Sequence, residues 1–508
     1  MIKMSYSPDL SSGFNGTRLR TPNHSSCSGM CSDCVQECPA LCEIGLSALR
    51  GTEAAYPSDP NRSQFASEKK YPIDFSDFNI NGRVFGAQGL PGDADIAHPL
   101  SVDLSCSFGM AHPVAQKMPV ILPAVAKLNW QDYYAGAAMA GVTAVIGEAV
   151  ANKDSDAEFS KGRLTSSPLI KDMVSRFRVY DRGYGDIVLQ ANYDDVSFGV
   201  LEYAIEKLGV KSVEIKLGQA AKGIQAVSKK ISYEEAKSLK AKGSLVYPDP
   251  GSAEIEKILS SGFKPVFRTM GRLPMYSEEN LTRYINSLRS LGAKRIMLKA
   301  AGYDRNELEL ILKIASAASV DLVTFDGAGG GTGNSPCKMM NEWGLPTIFL
   351  ESIVWDILDK MKKEGNRLPG AAITGGFSLE DSIYKGLAFG APYISLVGVC
   401  RAPMAAAMFS KMVGEGIKKN DIPASVRKFG STAEDIYYDM HDLCLMYGKE
   451  AKNISSGAAG VFSYLNRVSF GLRLMMALNR KFSLGFIDRT DLIPLTEAAK
   501  TLLRGPWL

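Results

Sequence analysis

The chain has 508 residues, 45% of them hydrophobic and 22% charged, with 58 Lys and Arg against 54 Asp and Glu. That composition is ordinary for a folded globular protein and excludes disorder, collagen or a coiled coil as descriptions of the whole chain. A net charge of +4 over this length leaves no basic footprint, so no nucleic-acid partner is expected.

The longest uncharged stretches, 133–147 and 386–400, fall short of the roughly 18 residues that a spanning helix needs, so no membrane partner is expected. Residues 1–26 are polar and lack an apolar run, which speaks against a secretory signal and for a cytoplasmic location. Cysteine usage is uneven. Cys27, Cys31, Cys34, Cys38 and Cys42 crowd into one short segment, whereas Cys106, Cys337, Cys400 and Cys444 stand alone. In a large chain from a reducing compartment, such a cluster more often binds metal than forms disulfides.

From about residue 119 onward, short β-branched runs alternate with helical periodicity. Strands are expected at 119–124, 142–147, 187–192, 213–217, 295–299, 321–325, 371–374 and 393–397, with helices such as 198–208, 278–291, 306–317 and 379–389 between them. Eight such repeats specify an α/β fold, a (β/α)8 TIM barrel. A ninth strand-like run, 265–268, is assigned to an elaboration after the fourth strand. Three segments follow: an N-terminal cysteine-cluster cap over 1–118, the barrel over 119–420, and a C-terminal helical extension over 421–508 with helices at 433–447 and 461–478.

The stretch from Asp326 to Pro336 follows the sixth strand and is rich in glycine, including Gly330, Gly331 and Gly333 around Thr332. Without Cβ atoms, its main chain can approach a ligand closely. Gly375 and Gly376 end the seventh strand, and Gly398 ends the eighth, shortly before Arg401. Barrels often bind phosphate with the loops after these two strands, so a phosphorylated cofactor is expected there. Lys216 and Lys299 lie at the ends of the fourth and fifth strands and Gln190 at the third. A buried ammonium needs an anion, which is either a ligand or a carboxylate of the chain itself. The four histidines, at 24, 98, 112 and 441, are scattered and suggest no His-rich metal site.

These residues resemble the FMN-binding barrel of glutamate synthase, in particular its stand-alone relatives. The resemblance rests on the Asp326–Pro336 loop, on the run from Glu214 to Gly223 with Lys216, Gln219 and Lys222, and on the Gly375–Asp381 run, in that order along the chain. It implies FMN with its phosphate on Gly375, Gly376 and Gly398 and its ring near Ala124, Gln190 and Lys299, covered by the 330–333 loop. Lys216, Gln219 and Lys222 match positions that contact flavin or the carboxylates of 2-oxoglutarate. Glu148 matches an acidic position and is the expected proton-transfer group, although it could equally pair with Lys216.

The family's substrate-clamping arginine has no counterpart here. Leu239 or Lys240 falls near its place, and Cys400 alone stands where the family puts three cluster cysteines.

The spacing C-x3-C-x2-C-x3-C-x3-C from Cys27 to Cys42 contains a ferredoxin-like run before Pro39 and suits an iron–sulfur cluster of the 4Fe–4S type. Zinc is the alternative, since four thiolates also satisfy it, and spacing leaves open which four of the five ligate. The expected activity is reductive amination of 2-oxoglutarate to glutamate, a reaction on the CH–NH2 group. The substrate is a small carboxylate, the electron donor a ferredoxin or a reductase subunit, and a separate partner can supply ammonia. The alternatives are a related flavin and iron–sulfur oxidoreductase for another amino acid or small carboxylate, or a non-catalytic electron-relay subunit.

Overall fold

The computed structural model describes residues 43–56, 67, 71–90, 94–125, 128–218, 228–330, 336 and 339–505. Eight parallel strands close into one barrel: β1 (Val120–Val125), β2 (Thr143–Ile146), β3 (Ile187–Ala191), β4 (Ser212–Lys216), β5 (Arg295–Ala301), β6 (Leu322–Asp326), β7 (Gly370–Thr374) and β8 (Ile394–Gly398), which returns to β1. Each is short, rich in β-branched or small residues and almost wholly buried. That pattern suits parallel strands covered on both faces.

Each strand leads to a helix outside the barrel: α1 (Trp130–Ala140), α2 (Pro168–Tyr180), α3 (Val200–Leu208), α4 (Glu278–Ser290), α5 (Arg305–Ala317), α6 (Thr347–Lys363), α7 (Glu380–Gly390) and α8 (Arg401–Lys418). Caps fix several starts. Ser167, Ser277 and Asp304 accept main-chain N–H groups of the first turns of α2, α4 and α5. The expected barrel strands and helices are therefore present, with ends moved by at most two residues.

Alternation along the strands separates lumen from helix layer. Ile121, Val145, Val188, Met297, Leu322, Ala372 and Leu396 form an apolar lumen layer, against which Phe108 and Val114 pack. The latter two come from an antiparallel hairpin, Cys106–Phe108 with Val114–Gln116, which plugs the end where the strands begin. Asp321 ties the plug down: its carboxylate accepts the N–H groups of Met110 at 2.9 Å and Ile296 at 2.8 Å. The opposite end, where the strands finish, is left for polar side chains.

The strand-like run at 265–268 appears as Phe267–Met270, the middle strand of a small antiparallel sheet with Ser228–Ile231 and Leu245–Tyr247. This sheet lies between β4 and α4 and has its own core of Ile231, Ala236, Leu239, Val246, Ile255 and Phe267.

After the barrel, α9 (Ser456–Leu478) packs along α8 and α1. Glycine permits the contact: a Cβ on Gly460 would lie 1.9 Å from Ser410 Oγ, and one on Gly136 would lie 2.4 Å from Val461. The helix expected at 433–447 is broken into Ala433–Ile436 and Met440–Tyr447. Tyr437 leaves the helix with extended backbone and donates its hydroxyl to the Ser410 carbonyl at 2.8 Å.

The last strand, Leu492–Pro494, pairs antiparallel with Phe78–Ile80. Beside it, Lys481 is buried between Asp491 at 2.6 Å and Asp488 at 3.0 Å. The described part of the N-terminal region is thus joined to the C-terminal one. The cysteines Cys27, Cys31, Cys34, Cys38 and Cys42 lie outside the described residues. No described helix is long and apolar enough to cross a membrane.

Because Phe108 fills the lumen floor, Phe108→Ala should cost about 3–5 kcal/mol of stability by opening a cavity that the closed barrel cannot collapse. Equilibrium denaturant unfolding would check it.

Candidate active site at the strand ends

Register brings the charged residues together. Lys216 on β4 is the direct neighbour of Lys299 on β5, and Glu214 on β4 is the neighbour of Gln190 on β3. On the other side, Asp326, Thr374 and Gly398 are in register at the ends of β6, β7 and β8. Lys216, Lys299, Gln190, Glu214 and Asp326 are all buried.

Each lysine finds a carboxylate of the chain. Lys216 Nζ donates to Glu148 Oε1 at 2.6 Å, and Lys299 Nζ lies 3.4 Å from Asp326 Oδ2. Gln190 donates its amide to Glu214 Oε1. Burial by itself would raise the Glu148 carboxyl, but the adjacent Lys216 ammonium brings it down to about 2. Such a group remains a carboxylate at neutral pH. The geometry suits Glu148 to hold the Lys216 ammonium in place.

Burial would likewise lower Lys299, yet Asp326 and Glu214 hold it above its ordinary value. Glu214 is raised by burial in spite of Lys299, Gln190 and Lys216.

The glycine loops lie across the same end. Asp326 reaches over Gly330, where an added Cβ would come within 2.3 Å of Asp326 Oδ1. Arg401, at the start of α8, donates to the Gly329 carbonyl at 3.1 Å. The Thr347 hydroxyl donates to the Gly375 carbonyl at 2.7 Å. Gly376 has φ +96, and a Cβ there would meet nothing closer than Gly329 Cα at 3.9 Å. Among the described residues its surroundings are open, and its backbone favours glycine. Ala124 borders the apolar floor layer near the end of β1.

Gln219, Lys222, Gly331, Thr332 and Gly333 lie outside the described residues. The two residues near the expected arginine position have partners within the insertion. Leu239 packs inside the core of the inserted sheet, and Lys240 pairs with Asp249.

Three participants were not singled out from the sequence. Glu214 was recoverable, because it stands two residues from Lys216 and therefore on the same strand face. Thr324, in register with Lys299, has a buried hydroxyl without a hydrogen-bond partner among the described residues, and so does Gln190 at Oε1. Asp195 accepts the Ala149 N–H at 2.8 Å, a link between segments far apart in sequence.

Residues 271–411, which span β5 to β8, match the family model described as the conserved region in glutamate synthase. No curated protein matches the chain by sequence. Solved structures with a similar course include a flavocytochrome b2 variant with sulfite bound, at 13% identity and TM-score 0.47, covering 85% of this chain and 78% of that one. A lactate oxidase from Pediococcus acidilactici follows at 13% identity and TM-score 0.44, covering 83% and 84%. A mandelate oxidase variant has 12% identity and TM-score 0.42, covering 82% and 88%.

The carboxylates bear opposite signatures on stability. Glu148, lowered from 4.5 to about 2, contributes stability that is present above pH 4.5 and lost as pH falls toward 2. Asp195, raised by burial from 3.8 to about 7, does the reverse: its contribution is full below pH 3.8 and eroded as pH climbs to 7. The melting temperature of Asp195→Asn relative to the unsubstituted protein should therefore rise between pH 4 and pH 7. A flat difference across a thermal-melt series would contradict this.

Proposed function

From the premise that this is a glutamate synthase-like chain through the second half of its barrel, we propose an FMN- and iron–sulfur-dependent oxidoreductase. Its reaction is the reduction of the imine of 2-oxoglutarate and ammonia to glutamate. One observation carries the reading. The matched segment delivers Lys299, Asp326, Gly330, Gly375, Gly376, Gly398 and Arg401 to the same end of one closed barrel.

The residues fit FMN. Gln190 Oε1 and the Thr324 hydroxyl are buried polar atoms without partners among the described residues, suited to the polar edge of a planar ring. The open cradle at Gly376, flanked by Gly375, Gly398 and Arg401, suits a monophosphate. When bound, FMN would accept single electrons and deliver a hydride, the conversion that amino-group formation requires.

The chain's own residues would do the rest. Lys299 would face the ring, and Lys216, together with Gln219 and Lys222, would bind the substrate carboxylates. Lys216 Nζ, held by Glu148, would present a hydrogen-bond donor within the site. In balance, ammonia and the 2-oxo acid lose water to form the imine, which takes up two electrons and a proton at carbon as hydride and a further proton at nitrogen. The cysteine segment from Cys27 to Cys42 would carry the 4Fe–4S cluster. Ferredoxin or a reductase subunit would be the electron source, a separate partner the ammonia source, and the cytoplasm the location.

A second reading is favoured by one feature: Lys216 and Lys299 are already neutralised by Glu148 and Asp326. A different amino acid or small carboxylate, one that asks less of these lysines, would then be the substrate. Anaerobic purification with flavin identification, followed by turnover of a 2-oxo acid and amino acid panel with reduced ferredoxin and ammonia, separates the two. Exclusive use of 2-oxoglutarate supports the first, and turnover of other carboxylates alone supports the second.

Gly376→Asp should weaken FMN retention by about a hundredfold or more, since its carboxylate would face the phosphate; Gly376→Ala, with the same backbone strain but no charge, should weaken it less. Equilibrium flavin titration would read both. The triple change of Cys31, Cys34 and Cys38 to Ser should abolish the cluster's visible absorption and leave the flavin spectrum in place. Stoichiometric zinc in the unsubstituted protein would overturn the iron–sulfur assignment.

A further inference from the structure

Ala149, the residue after Glu148, has φ +58, a left-handed conformation that a side chain bearing a Cβ adopts at a cost. It precedes the short helix Val150–Lys153 as its N-cap, without a side-chain cap. What holds this turn comes from a different βα unit. Asp195 Oδ2 accepts the Ala149 N–H at 2.8 Å and the Asn192 N–H at 3.2 Å, while the Asp195 N–H donates to Asn192 Oδ1 at 3.0 Å. Asn192 directly follows β3, so one carboxylate ties the turn after β2 to the end of β3.

We propose that Asp195 is the positioning residue of the Glu148–Lys216 pair: by clamping the Ala149 main chain, it directs the Glu148 carboxylate onto the Lys216 ammonium. The turn would otherwise relax to an ordinary backbone conformation and carry Glu148 away from β4. Asp195 is buried, and its Oδ1, like the nearby Tyr276 hydroxyl, has no hydrogen-bond partner among the described residues. The groups that act on its charge are Glu148 and Asp194, the latter paired with Arg272 at 2.5 Å. Only the importance of the pair rests on the flavin reading; its geometry does not.

The test reads Lys216 directly in the full-length protein, without flavin turnover. Trace acylation with acetic anhydride, followed by peptide mass spectrometry, gives the reactivity of Lys216 relative to the exposed Lys313. Glu148→Gln should raise that ratio and calibrates loss of the partner. Asp195→Ala should raise it by about tenfold, as expected for losing a charge-assisted contact. Asp195→Asn retains an acceptor oxygen for the Ala149 N–H and should stay within about twofold of the unsubstituted protein.

Adding Ala149→Gly to Asp195→Ala makes the left-handed turn inexpensive and should restore protection. A residue that merely caps the helix Tyr193–Ser197 would show no such rescue. An unchanged ratio in Asp195→Ala, or in Glu148→Gln, overturns the proposal, as does failure of Ala149→Gly to restore it. Should Asp195→Ala not fold, the double variant decides: wild-type protection supports the proposal, and loss of protection or of folding overturns it. Loss of the flavin assignment would leave this result standing.

Discussion

Two ammonium groups are buried side by side on adjacent strands, and the polar end of the barrel is arranged around them. Lys216 and Lys299 are register neighbours, so their charges face each other across a single strand pair. Like charges so placed repel, and burial removes the water that would screen them. Glu148, Glu214 and Asp326 answer from three directions, which accounts for carboxylates on a surface first read as a receptor for anions. The outcome is a nearly balanced polar layer above an apolar cluster in the lumen.

That layer divides the barrel into halves with different tasks. The first half, through β4, carries the Glu148–Lys216 pair and its supports; the second carries the glycine loops after β6 and β7. Main chain packs directly on main chain there, since a Cβ on Gly329 would lie 2.7 Å from the Gly375 carbonyl oxygen. The family match covers only the second half. Loops of this kind are constrained atom by atom by a small set of glycines, whereas an ion pair can be supported in many ways.

The sequence was most legible where signals are local. Short β-branched runs, capping residues and glycines after strands specify the barrel and place its loops, and even the additional strand near 267 is visible as a run that does not fit the eightfold count. Pairings between distant segments were less legible. Nothing near Lys216 distinguishes Glu148 as its partner from a bound anion, because both satisfy the same requirement. Asp195 reads as a helix-capping residue, and its second task, holding Ala149, exists only once β2 and β3 lie side by side. The break at Tyr437 has the same origin: a hydroxyl partner on α8 outweighs local helical periodicity.

The pairing of Phe78–Ile80 with Leu492–Pro494 bears on how the molecule is made. During translation the early strand emerges long before its partner, and the eight barrel strands are synthesised in the interval. The early segment therefore waits, with Phe78 lacking its final surroundings, until Leu492–Pro494 has been made. Truncation or fusion close to residue 494 would act at a distance, unsettling a segment encoded far upstream of it.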